Sequence, residues 1–389
     1  MYFEIDTPSL IVDMNKVKRN IRNMAEYARS LQCGLRPHIK THKISGLAKL
    51  QLEYGAVGIT CAKLTEAEVM ADEGITDIFV AYPVIGAKKI NRAISLAKRI
   101  RLIVGVDSEE GALALSEAAQ REKITLEVRM EVDIGLRRTG VPCEKAVAFG
   151  RWLNGLPGIS LTGIYGFRGL IGTAENSGRQ EGEILCRIAD KLRAKGIDIR
   201  DVSGGSTPTG KYVAMVKGIT EIRPGTYVFN DMMQVKSNTA SIDDCAAFVL
   251  VTVVSVPYDD YVVIDGGSKA FSTDVPLKSP PYFFNGYGSV VAKISSGVAS
   301  QKCPGYHCTW NENTGGGVNA DEDLVFKALY EEHGIIESRS GKTGLKPGDR
   351  LLIIPNHICP TVNLYNHAYF LEEGNKLREV SVIARGKLY

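Results

Sequence analysis

Between residues 31 and 227 the chain alternates short, β-rich apolar runs with longer amphipathic ones, and this rhythm limits its fold more than any other feature. The short runs are Leu31–His38, Val57–Lys63, Asp77–Tyr82, Arg101–Asp107, Leu126–Asp133, Leu161–Phe167, Arg200–Gly204 and Glu221–Tyr227. Between them lie helical patterns, clearest in TEAEVMADEG, AKKINRAISLAKR, SEEGALALSEAAQRE, CEKAVAFGRWLNG and EGEILCRIADKLRAKG. Several end in Gly, a frequent helix stop. Eight strand candidates separated by helices fit a (β/α)8 barrel, and the ~200 residues they occupy suit that fold. A doubly wound open sheet has the same local alternation, but the count of eight favours the barrel. Ahead of the first run, Val17, Ile21, Met24 and Tyr27 share one helical face, with Asp13 placed to cap it.

Beyond about residue 235 the texture changes. AAFVLVTVVSVPYDDYVVIDGGSKAF reads as two β-rich runs joined by a turn, and GSVVAKI, GDRLLIIPN and AYFLEEGNKLREVSVIAR read as further strands. Only DEDLVFKALYEEHG has a helical look, and segments 300–320 and 335–347 read as loops. The expected architecture is α/β: an N-terminal (β/α)8 TIM barrel over residues 12–235, then a mainly antiparallel β domain over 236–389 that also takes in residues 1–11.

Composition narrows the function classes. The 389 residues carry a net charge of only +3 and no basic tail, which argues against nucleic acid as a partner. No apolar run approaches the ~18 residues of a membrane span, and the first residues lack a signal-peptide layout. Eight cysteines without regular spacing read as reduced thiols of a cytoplasmic protein.

Chemistry is signalled at the strand ends, where a βα barrel carries its reactive side chains. LRPHIKTHK, residues 35–43, packs two lysines, two histidines and an arginine behind the first run. Lys40 stands where neighbouring cations favour the free amine that a Schiff base needs, with Arg36, His38, His42 and Lys43 as its electrostatic surroundings. Of these, Lys43 is expected to be merely solvated. SGGSTPTG, residues 203–210, and EIRPGTYVF, residues 221–229, follow the seventh and eighth runs, where barrels often hold a phosphate. EVDIGLRRTGV brings Arg137 and Arg138 to the mouth for an anionic or aromatic ligand. In IIPNHICPTVNLY, His357 and Cys359 sit two apart, so on a continuing strand both would face one side as metal ligands. CPGYHC, with Cys303, His307 and Cys308, has no common zinc spacing; His333 is expected just past a helix in a structural role, and DGGSK as a β-turn.

These motifs together resemble the pyridoxal-phosphate enzymes of the alanine-racemase fold, and within them the D-serine dehydratase and D-threonine aldolase group. The likeness runs from TPSLIVDMNKVKRNI to PNHICPTVNLY, nearly the whole chain, with RPHIKTHK its most specific motif. The resemblance implies that Lys40 forms the Schiff base with pyridoxal 5′-phosphate. It implies that Ser203, Gly204, Gly205, Gly225 and Thr226, with Tyr227 beside them, hold the phosphate. By the same likeness Arg138 reaches the cofactor ring, and Arg223 faces its pyridine nitrogen. His357 and Cys359 would bind a divalent metal; thiolate and imidazole suit zinc, whereas the carboxylate that aldolases of the group carry suits manganese or magnesium. The implied reaction is elimination from a D-β-hydroxy amino acid to a keto acid and ammonia by a homodimer. Retro-aldol cleavage, as of D-threonine or 3-hydroxy-D-aspartate, and racemisation on the same fold are the alternatives. One departure concerns substrate: the group's Tyr-x-Gly-His is replaced by GIYGFRGL, which puts Phe167 and Leu170 at those two positions and leaves D-serine itself open.

Overall fold

The computed structural model describes residues 2–294 and 320–389. They form two compact units, Ile21–Gly225 with Gly386–Tyr389, and Met1–Asn20 with Thr226–Arg385. The first strand, β1 (Ser9–Asp13), leads into α1 (Met14–Ser30), where the Asp13 carboxylate accepts from the amides of Asn15 and Lys16 and so caps the helix.

The first unit is a parallel barrel. Its strands are β2 (Gly34–Leu35), β3 (Ile59–Cys61), β4 (Asp77–Pro83), β5 (Arg101–Val106), β6 (Leu126–Asp133), β8 (Ile159–Gly166), β9 (Asp201–Gly204) and β10 (Glu221–Ile222), with a two-residue β7 (Val141–Pro142) beside β6. The order β2-β10-β9-β8-β6-β5-β4-β3 closes on itself, because His38 bridges Thr60 in parallel and Val57 donates to the Leu35 carbonyl at 2.9 Å. The helices are α2 (Ser45–Glu53), α3 (Leu64–Asp72), α4 (Ala87–Ala97), α5 (Glu109–Arg121), α6 (Ala146–Asn154), α7 (Ala174–Arg193) and α8 (Gly210–Ala214). The eight runs read from sequence thus each overlap a barrel strand, β4 and β8 reaching one or two residues beyond theirs and the first and last shrunk to two residues.

The barrel interior is not filled by apolar layers alone. Phe79 and Tyr165 meet edge-on at 5.0 Å, and Gly105 leaves room for the tyrosine, since a Cβ there would lie 2.1 Å from its hydroxyl. Around them runs a buried ionic network. Glu221 accepts from Arg36 Nε at 2.7 Å, Arg129 Nη1 at 2.6 Å and Ser203 Oγ at 2.7 Å, while Arg129 also reaches Asp201 at 3.1 Å. Buried charges of this kind persist only when paired and hydrogen-bonded.

The second unit is mainly antiparallel. Its further strands are β11 (Ala247–Tyr258), β12 (Tyr261–Ile264), β13 (Gly288–Ile294), β14 (Leu324–Leu329), β15 (Gly334–Ser338), β16 (Arg350–Pro355), β17 (His367–Glu372) and β18 (Lys376–Ser381), and its short helices are α9 (Met232–Lys236) and α10 (Ile358–Val362). The long β11 pairs with β1 and β16 through its first half and, after a register shift at Val253, with β12 through its second. Among its described residues only β1 and β17 run parallel. Two cores result, one around Phe248 and Leu250, the other around Phe271 and Phe326.

The segment expected to be helical, residues 321–334, is instead the hairpin β14–β15, and His333 lies in its turn, donating no cap to any helix. Leu324 and Phe326 are buried at a spacing of two, and pairing with β15 decides between that period and the helical one. DGGSK does form a turn, closed by the Ala270 and Phe271 amides on the Gly267 carbonyl. Cys303, His307 and Cys308 lie outside the described residues, and the other six cysteines form no disulfide. Among the described residues no helix is long and apolar enough to cross a membrane.

Candidate active site

At the end of β2 the chain is clamped on both sides. Arg36 and His38 donate their amides to Ile222 and Pro224, and Thr60 donates to the Pro37 carbonyl. The backbone then makes a single turn, Ile39–Thr41, in which the Lys40 amide points at His38 Nδ1 at 3.4 Å. Gly225 abuts this turn so closely that a Cβ would lie 3.0 Å from the His38 carbonyl and from Thr41 Oγ1. The eighth-strand loop therefore packs directly against the segment that carries Lys40.

The five basic residues of LRPHIKTHK have separate duties. Arg36 is buried between Glu221 and Asp77, so its charge is spent on two carboxylates. Lys43, expected to be solvated, is buried and paired with Glu66 at 2.5 Å; its positive φ of 56° turns it inward. His42 is buried and neutral, pushed down to about 4 by that burial, and spans the Gln51 side chain at 3.3 Å and the Ile44 amide at 3.1 Å. His38 is held neutral by burial first and by the charges of Lys40 and Arg223 next. Lys40 alone is exposed, and among the described residues its ammonium has no hydrogen bond or ion pair. An unengaged primary amine at a barrel strand end fits the carbonyl group of pyridoxal phosphate.

Arg223 is buried at the end of β10. Its Nε donates to Ser203 Oγ at 2.9 Å and its Nη2 to the Gly166 carbonyl at 2.8 Å, and it stacks 5.3 Å above the Tyr165 ring. Ser203 therefore faces inward, its hydroxyl donating a hydrogen bond to Glu221, and that hydroxyl is occupied by protein. The next amides point the other way: Gly205, at φ 79°, donates to the buried Glu181 carboxylate at 2.5 Å, and Ser206 to Thr209 Oγ1 at 3.0 Å. The β9 and β10 ends thus bring Ser203, Gly204, Gly205, Arg223 and Gly225 side by side. Arg138, on the β6–β7 loop, is exposed and lies 5.3 Å over Phe167. Beneath that loop Glu131 accepts from Thr139 at 2.8 Å and Tyr165 at 3.0 Å, and burial raises its carboxyl above the ordinary range.

The second unit holds the other candidate residues. Thr226 and Tyr227 open a short 3-10 turn, with Tyr227 buried. His357 is not on a strand: β16 ends at Pro355, and His357 is the extended residue that precedes α10, with Cys359 buried in the first turn. The imidazole Nδ1 lies 2.6 Å from Asp274 Oδ2, and Cys359 Sγ lies 3.5 Å from Thr226 Oγ1. Burial works against the imidazolium, but hydrogen bonds with Asp274 and Cys359 outweigh it and lift His357 to about 10. Asp231, pushed up to about 6 by burial, accepts from the Ile358 amide at 3.0 Å and from Gln234 at 3.1 Å, fixing the start of α10. Imidazole and thiol within hydrogen-bond reach of each other suit a divalent metal with open positions. No third His, Cys, Asp or Glu joins them in a metal-holding group among the described residues.

Glu221, Glu181, Glu131 and Asp274 were not singled out from sequence. Glu221 stood in view at the head of EIRPGTY, in a two-residue strand beside Ile222, and nothing in that stretch announces its partners.

Comparison with known proteins gives a consistent result. The alanine racemase N-terminal domain model matches residues 12–232 and the serine dehydratase domain model residues 246–371. A D-threonine aldolase from Arthrobacter sp. is 28% identical over 95% of this chain and 90% of its own. A D-threo-3-hydroxyaspartate dehydratase from Delftia sp. (strain HT23) is 31% identical over 92% of each. A metal-free Cys→Ala variant of a D-threo-3-hydroxyaspartate dehydratase superposes with a TM-score of 0.86 at 28% identity, covering 98% of both chains. A His→Ala variant has also been solved, with its substitution two positions ahead of that cysteine. The chain belongs to the fold-type III, alanine-racemase-like family of pyridoxal-phosphate-dependent lyases that includes the D-serine dehydratases and D-threonine aldolases.

Proposed function

We propose that the chain is a pyridoxal-phosphate- and metal-dependent lyase that removes water from a D-β-hydroxy amino acid, leaving a keto acid and ammonia. The observation that carries this reading is the His357–Cys359 pair, a soft imidazole–thiolate donor set held at the start of α10. The same residue types at the same spacing were substituted in the D-threo-3-hydroxyaspartate dehydratase, which supports a metal role here. When bound, the cofactor supplies an electron sink for the breaking Cα–H bond, and the metal, zinc by its donors, supplies a Lewis acid for the β-hydroxyl.

The chain's own residues divide the remaining work. Lys40 holds the cofactor and serves as base for the α-proton. Arg223, fixed by Ser203 and Gly166, presents a permanent cation to the pyridine nitrogen. Gly204, Gly205, Gly225, Thr226 and Tyr227 would hold the phosphate, while Ser203 contributes through Arg223. Arg138 stands at the ring.

The test is product analysis. Metal-loaded enzyme given D-serine, D-threonine and D-3-hydroxyaspartate is expected to release keto acid and ammonia from at least one of them. Aldehyde and glycine alone would sink the dehydratase reading in favour of the aldolase one, which the 28% identity to a D-threonine aldolase keeps alive. A Cys359→Asp variant is expected to move metal preference from zinc towards manganese, seen in competitive loading by elemental analysis.

A further inference from the structure

His357 is tied into a closed circuit of hydrogen bonds within the second unit. Its Nδ1 meets Asp274 Oδ2 at 2.6 Å, and Ser272 Oγ donates to Asp274 Oδ1 at 2.5 Å. The Ser272 amide donates to Thr361 Oγ1 at 3.3 Å, and that hydroxyl donates to the His357 carbonyl at 2.8 Å. The circuit begins and ends on one residue, so ring and backbone are fixed by the same three side chains, those of Asp274, Ser272 and Thr361. Asp231 adds a further anchor at the next amide, that of Ile358.

The geometry determines which nitrogen is free to bind. With Nδ1–H donated to a carboxylate, Nε2 is the nitrogen whose proton a metal displaces, and the bond fixes the ring plane about χ2. Asp274 lies in the β12–β13 loop, about eighty residues from His357, and Ser272 holds its second oxygen. Among the described residues it makes no ion pair with Lys or Arg, and its acceptor capacity is directed at the histidine and Ser272.

We propose that Asp274 is a positioning residue of the metal site, accepting from His357 Nδ1–H so that Nε2 faces the ion together with Cys359. This rests on the reading of His357 and Cys359 as metal ligands. Residues in this relation to a ligating histidine change metal affinity by ~10–100-fold when removed.

The experiment measures zinc affinity by chelator competition in the wild-type chain, Asp274→Ala and Asp274→Asn, alongside the melting temperature of each metal-free protein. Asp274→Ala is expected to bind zinc ~10–100-fold more weakly while still melting in one cooperative transition without metal, at a temperature lowered by loss of the His357 ion pair. Asp274→Asn, which keeps an acceptor oxygen without the charge, is expected to fall between. If the alanine variant does not fold, the asparagine variant decides: weakened zinc binding in a chain that still melts cooperatively supports the proposal, and unweakened binding overturns it. Tight wild-type binding matched by Asp274→Ala overturns the positioning role alone. A wild-type chain that takes up no zinc, manganese or magnesium overturns the ligand reading beneath it.

Discussion

Lys40→Ala is expected to leave a folded chain that no longer keeps pyridoxal phosphate after borohydride reduction. Wild-type protein treated the same way should carry the cofactor's mass on the peptide containing Lys40. Turnover should fall by at least ~10³-fold, since a general base alone contributes ~10²–10⁴ and the covalent anchor is lost with it. Stability should hardly move, within ~0.5 kcal/mol, because Lys40 is exposed and its ammonium bonds to nothing among the described residues. That combination separates it from every other cation of the cluster. Lys43→Ala would strand the buried Glu66, and Arg36→Ala would remove a partner of Glu221. A reduced adduct that survives in Lys40→Ala would remove this residue from the chemistry.

Glu221→Ala is expected to be the most damaging single change to stability, costing ~3–5 kcal/mol or more and lowering the urea midpoint accordingly. The substitution leaves Arg36 and Arg129, both almost fully buried, without their shared acceptor, and it frees Ser203 from the position that orients Arg223. The pH dependence has a definite sign. Burial opposes the carboxylate, but the charges of Arg129 and Arg36 outweigh it and hold Glu221 down to about 2. A carboxyl at its ordinary ~4.3 when unfolded and lower when folded contributes stability above ~4.3, about 3 kcal/mol, and loses it as the pH falls towards 2. Glu221→Gln should flatten that acid limb of the stability curve. An unchanged limb would show that acid unfolding is governed elsewhere.

The barrel was legible because its signal is repeated eight times and each helix carries its own apolar face. The site was legible only where a residue type is unusual for its place, as with a cluster of cations behind an apolar run. What the cluster concealed was pairing. Arg36 finds Glu221 far along the chain and Lys43 finds Glu66, and no local pattern announces such partners. The same holds for His357, read as a strand residue because IIPN continues into HIC. Strand pairing ends at Pro355, and Asp231, from a distant turn, receives the Ile358 amide that starts α10. Residues 324–329 carry apolar groups at both two- and four-residue spacing, so only the partner strand β15 could settle their state.

Strand β1 gives the second unit an unusual order of assembly. Ser9–Val12 pair with Phe248 and its neighbours on one side, and Leu10–Asp13 with Ala368–Leu371 on the other. During synthesis the barrel unit can begin to close once Gly225 has emerged, whereas β1 must wait for strands made more than two hundred residues later. Until then it presents two open edges of Leu, Ile and Val, a template for pairing with another chain. A nascent or truncated form ending before β17 would therefore be prone to intermolecular strand exchange, even with a barrel that is already formed.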